Sequence, residues 1–265
     1  MDFFDDHPPR KDFWLMFKVS SLERLTQMRS GLLYMNSLDY FSKLPGEELL
    51  PLRKDELETV YGVLRAGPNA RGFSKISMKI GESEKEIDLG AKAVITATFP
   101  RPKNYMLFCM GAFSDGVDGK ITGEVDGRLY FDERFLHFGS HVLLISNAPV
   151  FGERISKAIA GNKGIFGSKF FHDGFGLVQY RSLADYSGPK GLYMKDERYS
   201  WQRELRIALG AEDHLLNESG ALELNIGDIS DISQIVSVQA LIDEPFRINR
   251  RRYAVVDGHP RLIDD

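Results

Sequence analysis

The segment Tyr199-Ser-Trp-Gln-Arg-Glu-Leu-Arg-Ile-Ala208 holds the residue pattern that bears most directly on the fold of this chain. If it forms a β-strand, Gln202, Glu204 and Arg206 lie on one face, because side chains alternate between the two faces of a sheet. The other face is then richer in apolar side chains. The pattern predicts a half-buried strand, which is typical either of the rim of a ligand cleft or of an ordinary sheet edge.

The composition of the chain is that of a soluble globular protein. Of 265 residues, 43% are hydrophobic and 27% are charged, and these proportions are usual for globular domains. The length can bury a sizeable core and suits one large domain or two small ones. A formal net charge of −4 argues against a protein that coats nucleic acid generally, although it leaves room for a local basic patch.

The cysteine content and the first residues predict a cytoplasmic location. Cys109 is the only cysteine, so no internal disulfide can form and a reducing compartment is expected. The start, Met1-Asp-Phe-Phe-Asp-Asp, lacks the basic and apolar regions of a signal peptide. No run approaches the roughly 18 apolar residues that a membrane-spanning helix needs.

The first forty residues contain signals for a strand, a helix and a second strand. The aromatic and apolar run at 13–19 predicts the first strand. Ser20 or Ser21 can cap a helix that ends at Gly31, with apolar residues three apart on one face. A short second strand and then a further capping signal, Asn36-Ser37, follow.

Residues 45–92 predict a surface insertion made of a helix and a β-hairpin. The segment is polar and is interrupted by glycine and proline. A helix is expected at 47–57. Apolar residues alternate with charged residues and serine over 74–89, on either side of the turn signal Gly81-Glu-Ser, and this pattern predicts the hairpin.

The remainder of the chain is predicted to be rich in short strands. They are expected at 93–99, 105–113, 128–131, 141–146, 175–180 and 202–209, followed by a C-terminal pair at 221–224 and 234–241. Helices are expected at 132–138 and 149–160. Because strands outnumber helices and rarely alternate with them, we predict an α+β fold with a mixed or antiparallel sheet, in one domain spanning 1–265.

Three segments carry a resemblance to a known fold. They are the strand–helix–strand unit ending in Gly31-Leu-Leu-Tyr-Met35, the strand ending in Phe108-Cys-Met-Gly-Ala-Phe-Ser114, and Trp201-Gln-Arg-Glu-Leu-Arg206. In this order they resemble the split-sheet fold of the ADP-ribosyltransferase-like superfamily, and Gln202-x-Glu204 is similar to the Q-x-E element of its bacterial toxins. The third segment also looks like a strand of an uncharacterised bacterial and phage family. The resemblance implies a bacterial or phage protein with a split sheet.

The resemblance also implies a site for NAD, which would be the substrate. Cleaving the nicotinamide–ribose bond creates a centre with oxocarbenium character, and a carboxylate bound to the ribose hydroxyls would stabilise the developing positive charge. Glu204 is therefore the predicted catalytic carboxylate, with Gln202 orienting the nucleophile. The predicted cofactor-binding residues are Lys18 and Arg206 for the pyrophosphate, Tyr34 for stacking on the nicotinamide ring, and Ser114 for the nicotinamide ribose. The ADP-ribose would pass to a macromolecule or to water.

Two features keep other interpretations open. Lys18 stands where the superfamily has Arg or His, and lysine lacks the bidentate fork of arginine, so the fold could serve as a non-catalytic module that binds protein or nucleic acid. Glu204 could also simply pair with Arg206, or with a cation of a neighbouring strand, on a solvated face. The basic residues that could bind nucleic acid are Arg247, Arg250, Arg251 and Arg252.

Metal chemistry has little support in the sequence. No HExxH or paired-cysteine pattern occurs. His137 and His141 are four residues apart, but Gly139-Ser140 between them ends a helix. We therefore predict no metal site, with a metal-dependent nuclease built on Asp126 and Glu133 as a third alternative.

Overall fold

The structure is a computed structural model that describes residues 13–44, 57–67, 75–81, 85–116, 120–166, 174–248, 252–256 and 259–263. The α-helices are α1 (Leu22–Arg29), α2 (Leu38–Ser42), α3 (Ala148–Ala160) and α4 (Val238–Asp243). Short 3₁₀ helices lie at Pro102–Asn104, Glu133–His137, Glu197–Gln202 and Asp213–Leu215.

The strands, in chain order, are β1 (Phe13–Ser20), β2 (Leu32–Ser37), β3 (Val60–Arg65), β4 (Ser77–Lys79), β5 (Glu86–Asp88), β6 (Val94–Thr98), β7 (Tyr105–Ser114), β8 (Glu124–Val125), β9 (Arg128–Leu129), β10 (His141–Ile145), β11 (Ile165–Phe166), β12 (Phe175–Leu177), β13 (Gln179–Arg181), β14 (Gly188–Pro189), β15 (Met194–Asp196), β16 (Glu204–Ala211), β17 (Leu222–Asn225), β18 (Ser233–Ser237), β19 (Arg252–Val256) and β20 (His259–Ile263).

The main sheet is antiparallel and has the order β11-β16-β7-β1-β10-β18, with β12 also on β16 and β2 joining β7 to β17. A smaller sheet has the order β14-β3-β6. The predicted α+β class is confirmed, because antiparallel strands dominate and the helices cover them rather than alternate with them.

The main sheet splits along one edge of β7. At one end of this edge β1 pairs with β7, with Phe17 opposite Gly111. At the other end β2 takes the edge, with Asn36 opposite Leu107. Cys109 lies midway between the two pairings, so β1 and β2 diverge around it. Helix α1 connects β1 to β2 and lies beside the gap between them. The gap, bordered by this helix, forms a cleft.

Two apolar layers fix the positions of the strands around the split. On one face, Leu25 of α1 and Phe151 of α3 pack with alternate residues of β7 such as Met110. On the other face, an aromatic cluster includes Phe17 and Trp201. The period-two alternation of β-strands thus gives β1 and β7 an apolar layer on both faces.

Local signals in the N-terminal third led to correct predictions. Strand β1 and helix α1 form as expected, with the Ser21 hydroxyl accepting from the Arg24 amide. The hairpin at 74–89 is confirmed by the pairing of β4 with β5. The helix expected at 47–57 lies outside the described residues except at its last residue, which is in a turn.

The predicted C-terminal strand pair is wrong. Strand β17 pairs with β2 and β18 pairs with β10, so the two segments lie far apart in the sheet. The second segment also stops being a strand at Ser237, whose side chain accepts from the Ala240 amide and begins α4. A serine cap inside an apolar run marks the helix start.

The segment around Glu204 also differs from the prediction of one half-buried strand. Asp196 caps a 3₁₀ helix that runs to Gln202, Arg203 adopts a left-handed conformation with φ of 47°, and β16 begins at Glu204. Every residue of β16 is buried. The strand is therefore central in the sheet, with β7 on one side and β11 and β12 on the other.

We expect Gly31→Ala to lower the free energy of unfolding by about 2 kcal/mol. Gly31 joins α1 to β2 with φ of 109°, and an added Cβ would lie 2.5 Å from the Gly227 carbonyl oxygen. Urea unfolding measures the loss. The matched control is Gly152→Ala within α3, where an added Cβ meets nothing within 4 Å and should stabilise by up to about 1 kcal/mol. Equal effects of both substitutions would contradict this account of Gly31.

Candidate functional site

A cleft of about 620 Å³ opens at the split and is lined by β1, α1, β2, β7 and the start of β16. Its lining includes most of the side chains that the sequence singled out, which are Lys18, Tyr34, Gln202, Glu204 and Arg206. These residues come from the beginning and the end of the chain, and the sheet topology brings them to one cavity.

Ser114 does not line this cleft. Glu204 is paired with Gly111 on β7, and Ser114 lies three residues further along, which is about 10 Å in a strand. An odd number of residues also places the Ser114 side chain on the opposite face from Gly111. The structure therefore does not bring Ser114 to Glu204, and a contact between Ser114 and the same ribose has no geometric support.

Gln202 lines the cleft although it is not part of strand β16, so strand alternation does not explain its position. It is the last residue of a 3₁₀ helix, and the left-handed Arg203 turns the chain into β16. The turn places the Gln202 side chain near that of Glu204, because both side chains contact Lys195 Nζ, at 3.3 Å and 2.8 Å. The Q-x-E pair thus shares one ammonium group.

Glu204 is held between two buried cations. Its Oε1 accepts from Arg206 Nε at 2.5 Å, and its Oε2 accepts from Lys195 Nζ at 2.8 Å. The Arg206 guanidinium also lies 2.6 Å from Glu58 Oε1 and donates to the Leu192 carbonyl. The four charged side chains of this network are 5% exposed or less. Pairing with Arg206 was foreseen as an alternative, but it occurs in the interior and not on a solvated face.

The electrostatics of the network keep Glu204 ionised. Burial alone would raise the pKa of Glu204, but the charges of Arg206 and Lys195 outweigh burial and hold this pKa well below its usual range. Burial would lower the pKa of Lys195, and the Glu204 carboxylate more than offsets it, so that pKa is raised. Burial would also lower the pKa of Arg206, but the charges of Glu204 and Glu58 outweigh burial, so this pKa is raised as well. The network thus pairs two carboxylates, Glu204 and Glu58, with two cations, so the formal charges of the four side chains balance.

Lys195 and Glu58 were not among the predicted site residues. Lys195 follows the apolar run Leu192-Tyr-Met, and a lysine inside a buried strand was the one signal that could have identified it. Glu58 belongs to the segment interpreted as a surface insertion, where an acidic residue among other charged residues carries no distinguishing pattern. Their roles depend on long-range contacts with β16.

Lys18 occupies the split itself. Its Nζ donates to the Cys109 carbonyl oxygen at 2.5 Å and lies 4.7 Å from the centre of the Phe108 ring. This carbonyl lies where neither β1 nor β2 pairs with β7, so the ammonium takes the place of a strand partner. Burial, with the nearby Glu204 charge, raises the pKa of the Cys109 thiol to about 12, which keeps the thiol protonated and unreactive.

The remaining predicted ligand residues differ in their access to the cleft. Tyr34 is 41% exposed, and its hydroxyl lies 2.7 Å from Ser219 Oγ, so its ring borders the cavity. Arg206 is only 1% exposed and is occupied by two carboxylates and a carbonyl. In this arrangement it orients Glu204 and does not reach outward to a pyrophosphate. An exposed cation that the sequence did not single out, Arg24 of α1, also lines the cleft.

The basic C-terminal cluster is only partly described. Arg247 is exposed, Arg250 and Arg251 lie outside the described residues, and Arg252 begins β19. Within the described ranges, no group of three or more histidine, cysteine, aspartate or glutamate side chains is placed to hold a metal ion. Among the same residues, no helix has the length and apolar character needed to cross a membrane.

No protein-family model, curated protein or solved structure matches this chain. The resemblance to the ADP-ribosyltransferase-like superfamily therefore rests only on the sequence residues quoted above.

We expect Glu204→Gln to lower the free energy of unfolding by about 3–5 kcal/mol at pH 7, because it leaves buried cations without their counter-charge. The folded pKa of Glu204 is depressed, so its ionised form stabilises the protein above the unfolded pKa of about 4.3, and this stabilisation is lost as the pH falls toward the folded value. The difference between the wild-type and Glu204→Gln unfolding free energies should therefore shrink below about pH 4. Urea unfolding at several pH values tests this.

The control is Asp213→Asn, which removes the exposed ion pair with Lys103, a pair with side chains 67% and 59% exposed. Exposed pairs contribute little, so this substitution should leave the unfolding transition nearly unchanged. A Glu204→Gln effect that stayed constant from pH 7 to pH 3 would show that its charge is not the cause.

Proposed function

We propose that this chain binds NAD in the cleft and cleaves the nicotinamide–ribose bond, passing ADP-ribose to a macromolecule or to water with release of nicotinamide. The observation that carries the proposal is the shared cleft of Gln202, Glu204, Lys18 and Tyr34. These are the residue types that the chemistry needs, at the split of an antiparallel sheet. We further propose that the protein acts in the cytoplasm, where NAD is available and its single cysteine stays reduced.

Glu204 has the properties of a stabilising carboxylate. Its depressed pKa keeps it charged at neutral pH. A carboxylate can accept about four hydrogen bonds, and Arg206 and Lys195 use two of them. The remaining lone pairs can accept from the ribose hydroxyls, and a fixed negative charge in a shielded site stabilises positive charge on the ribose in the transition state.

The other cleft residues supply positioning. Gln202 is fixed beside Glu204 by Lys195, so its amide is placed to orient an attacking group. The half-exposed ring of Tyr34 offers a plane for stacking on nicotinamide. Lys18, whose ammonium is held at the Cys109 carbonyl, supplies positive charge for the phosphates as a point charge.

A second candidate is a non-catalytic binding module on the same fold, with a protein or nucleic acid as its partner. One observation favours it. The Glu204 charge is already balanced by cations at 2.5 Å and 2.8 Å, which leaves less net negative field for a cationic transition state. In this case the cleft would bind a ligand without turnover, and any nucleic-acid binding through Arg247 and the arginines after it would weaken steeply with added salt.

The first candidate predicts nicotinamide release when the protein is incubated with NAD and a bacterial lysate. We expect Glu204→Gln to reduce the rate at least 100-fold, as removal of a charge-stabilising group does. The matched control is Glu212→Gln, an exposed carboxylate just beyond the far end of β16, which should keep the wild-type rate. Both variants are first checked for a cooperative unfolding transition.

Release at the background rate from wild type and Glu204→Gln alike would contradict the enzymatic proposal. If NAD or ADP-ribose nevertheless bound the wild type in calorimetry, the binding module would be the better description. Omitting the lysate separates hydrolysis of NAD from transfer, because only transfer requires a macromolecular acceptor.

A further inference from the structure

The charged residues that line the cleft are distributed unevenly. Toward β16, the cations Lys195 and Arg206 are matched by the carboxylates of Glu204 and Glu58. We call this group of four the inner end of the cleft. Toward α1, the charged lining residues among those described are Lys18 and Arg24, and we call this the outer end. The inner end is formally neutral and the outer end is positive.

Glu58 is the residue that makes the inner end neutral. It lies in a turn just before β3 and is 2% exposed, with Oε1 at 2.6 Å from Arg206 Nη1. Without it, Arg206 and Lys195 would outnumber the single carboxylate of Glu204. Glu58 itself lines the cleft, so its charge acts where a ligand would lie.

We propose that Glu58 determines the specificity of the cleft: it cancels the Arg206 charge so that the inner end accepts a group without negative charge, and it directs the anionic part of a ligand to the outer end. This inference rests on the proposed function only in taking the cleft as the ligand site. It explains why a chain segment distant from β16 in sequence delivers a buried carboxylate to a guanidinium that Glu204 already contacts.

The proposal gives NAD one orientation. The nicotinamide ring, which carries no negative charge, would enter the inner end beside Glu204, and the phosphates would lie near Lys18 and Arg24. If Glu58 were neutral, the inner end would carry a net positive charge and would attract phosphate as well. Discrimination between the two ends would then be lost.

The test is calorimetric titration with inorganic pyrophosphate at low salt, using wild type, Glu58→Gln and Glu58→Asp. Removing the Glu58 carboxylate leaves one positive charge at the inner end uncompensated. Because this charge is partly buried, pyrophosphate should bind about tenfold more tightly or better. Glu58→Gln should show this gain and Glu58→Asp should not, because aspartate keeps the charge while also perturbing the packing. Glu153→Gln, on the exposed side of α3, is the control for the same change in net charge.

Lys195→Met provides the opposite test, because it leaves the inner end with a net negative charge and should weaken pyrophosphate binding. This variant keeps the proposal testable if Glu58→Gln does not fold. Equal affinities of Glu58→Gln and wild type, a matching gain in Glu58→Asp, no detectable binding by any variant, or unchanged affinity in Lys195→Met would each overturn the proposal.

The pyrophosphate titration does not depend on catalysis. A chain that releases no nicotinamide but shows the Glu58→Gln gain would fail as an enzyme while keeping its charge-based specificity. If the protein releases nicotinamide but Glu58→Gln shows no gain in pyrophosphate affinity, the enzymatic proposal holds and the specificity role of Glu58 is wrong.

Discussion

The ion pairs of Glu204 with Arg206 and Lys195 are the interaction on which the rest of this structure depends. A buried charge is tolerated only when it is paired and hydrogen-bonded, so these side chains must come together if the chain is to fold. Meeting that requirement brings β15 to the start of β16 and the turn of Glu58 to the same point. The ion pairs that assemble the candidate site are therefore also interactions that the folded state requires.

The split of the sheet is the second constraint, and it explains why a cleft exists at all. Strand β7 gives one stretch of its edge to β1 and another to β2, and the carbonyl of Cys109 between them needs a different donor. Lys18 supplies it. The cleft thus forms where strand pairing is interrupted, and a side chain instead of a strand satisfies the Cys109 carbonyl at that point.

Local signals predicted the N-terminal elements well, since a serine cap and the positive φ of Gly31 act over a few residues. Local signals gave wrong predictions where contacts between distant segments determine the structure. Strand propensity favoured a strand at 202–209, but the Asp196 cap and the left-handed Arg203 delay its start. For the site, period-two alternation correctly placed Glu204 and Arg206 together, whereas Lys195 and Glu58 depend on partners that no local pattern specifies.

The same charge balance that makes Glu204 possible in the interior also limits what it can do. Two cations fix the carboxylate in one orientation, so no reorganisation is needed when positive charge develops nearby, which is the advantage of a preorganised site. Those cations also oppose that positive charge. Glu58 partly relieves this conflict, because its carboxylate offsets the positive charge of Arg206. More of the negative potential of Glu204 then remains in the cleft. If Glu204 acts as proposed, Glu58 lets this buried carboxylate keep its cation and still present negative charge to the cleft.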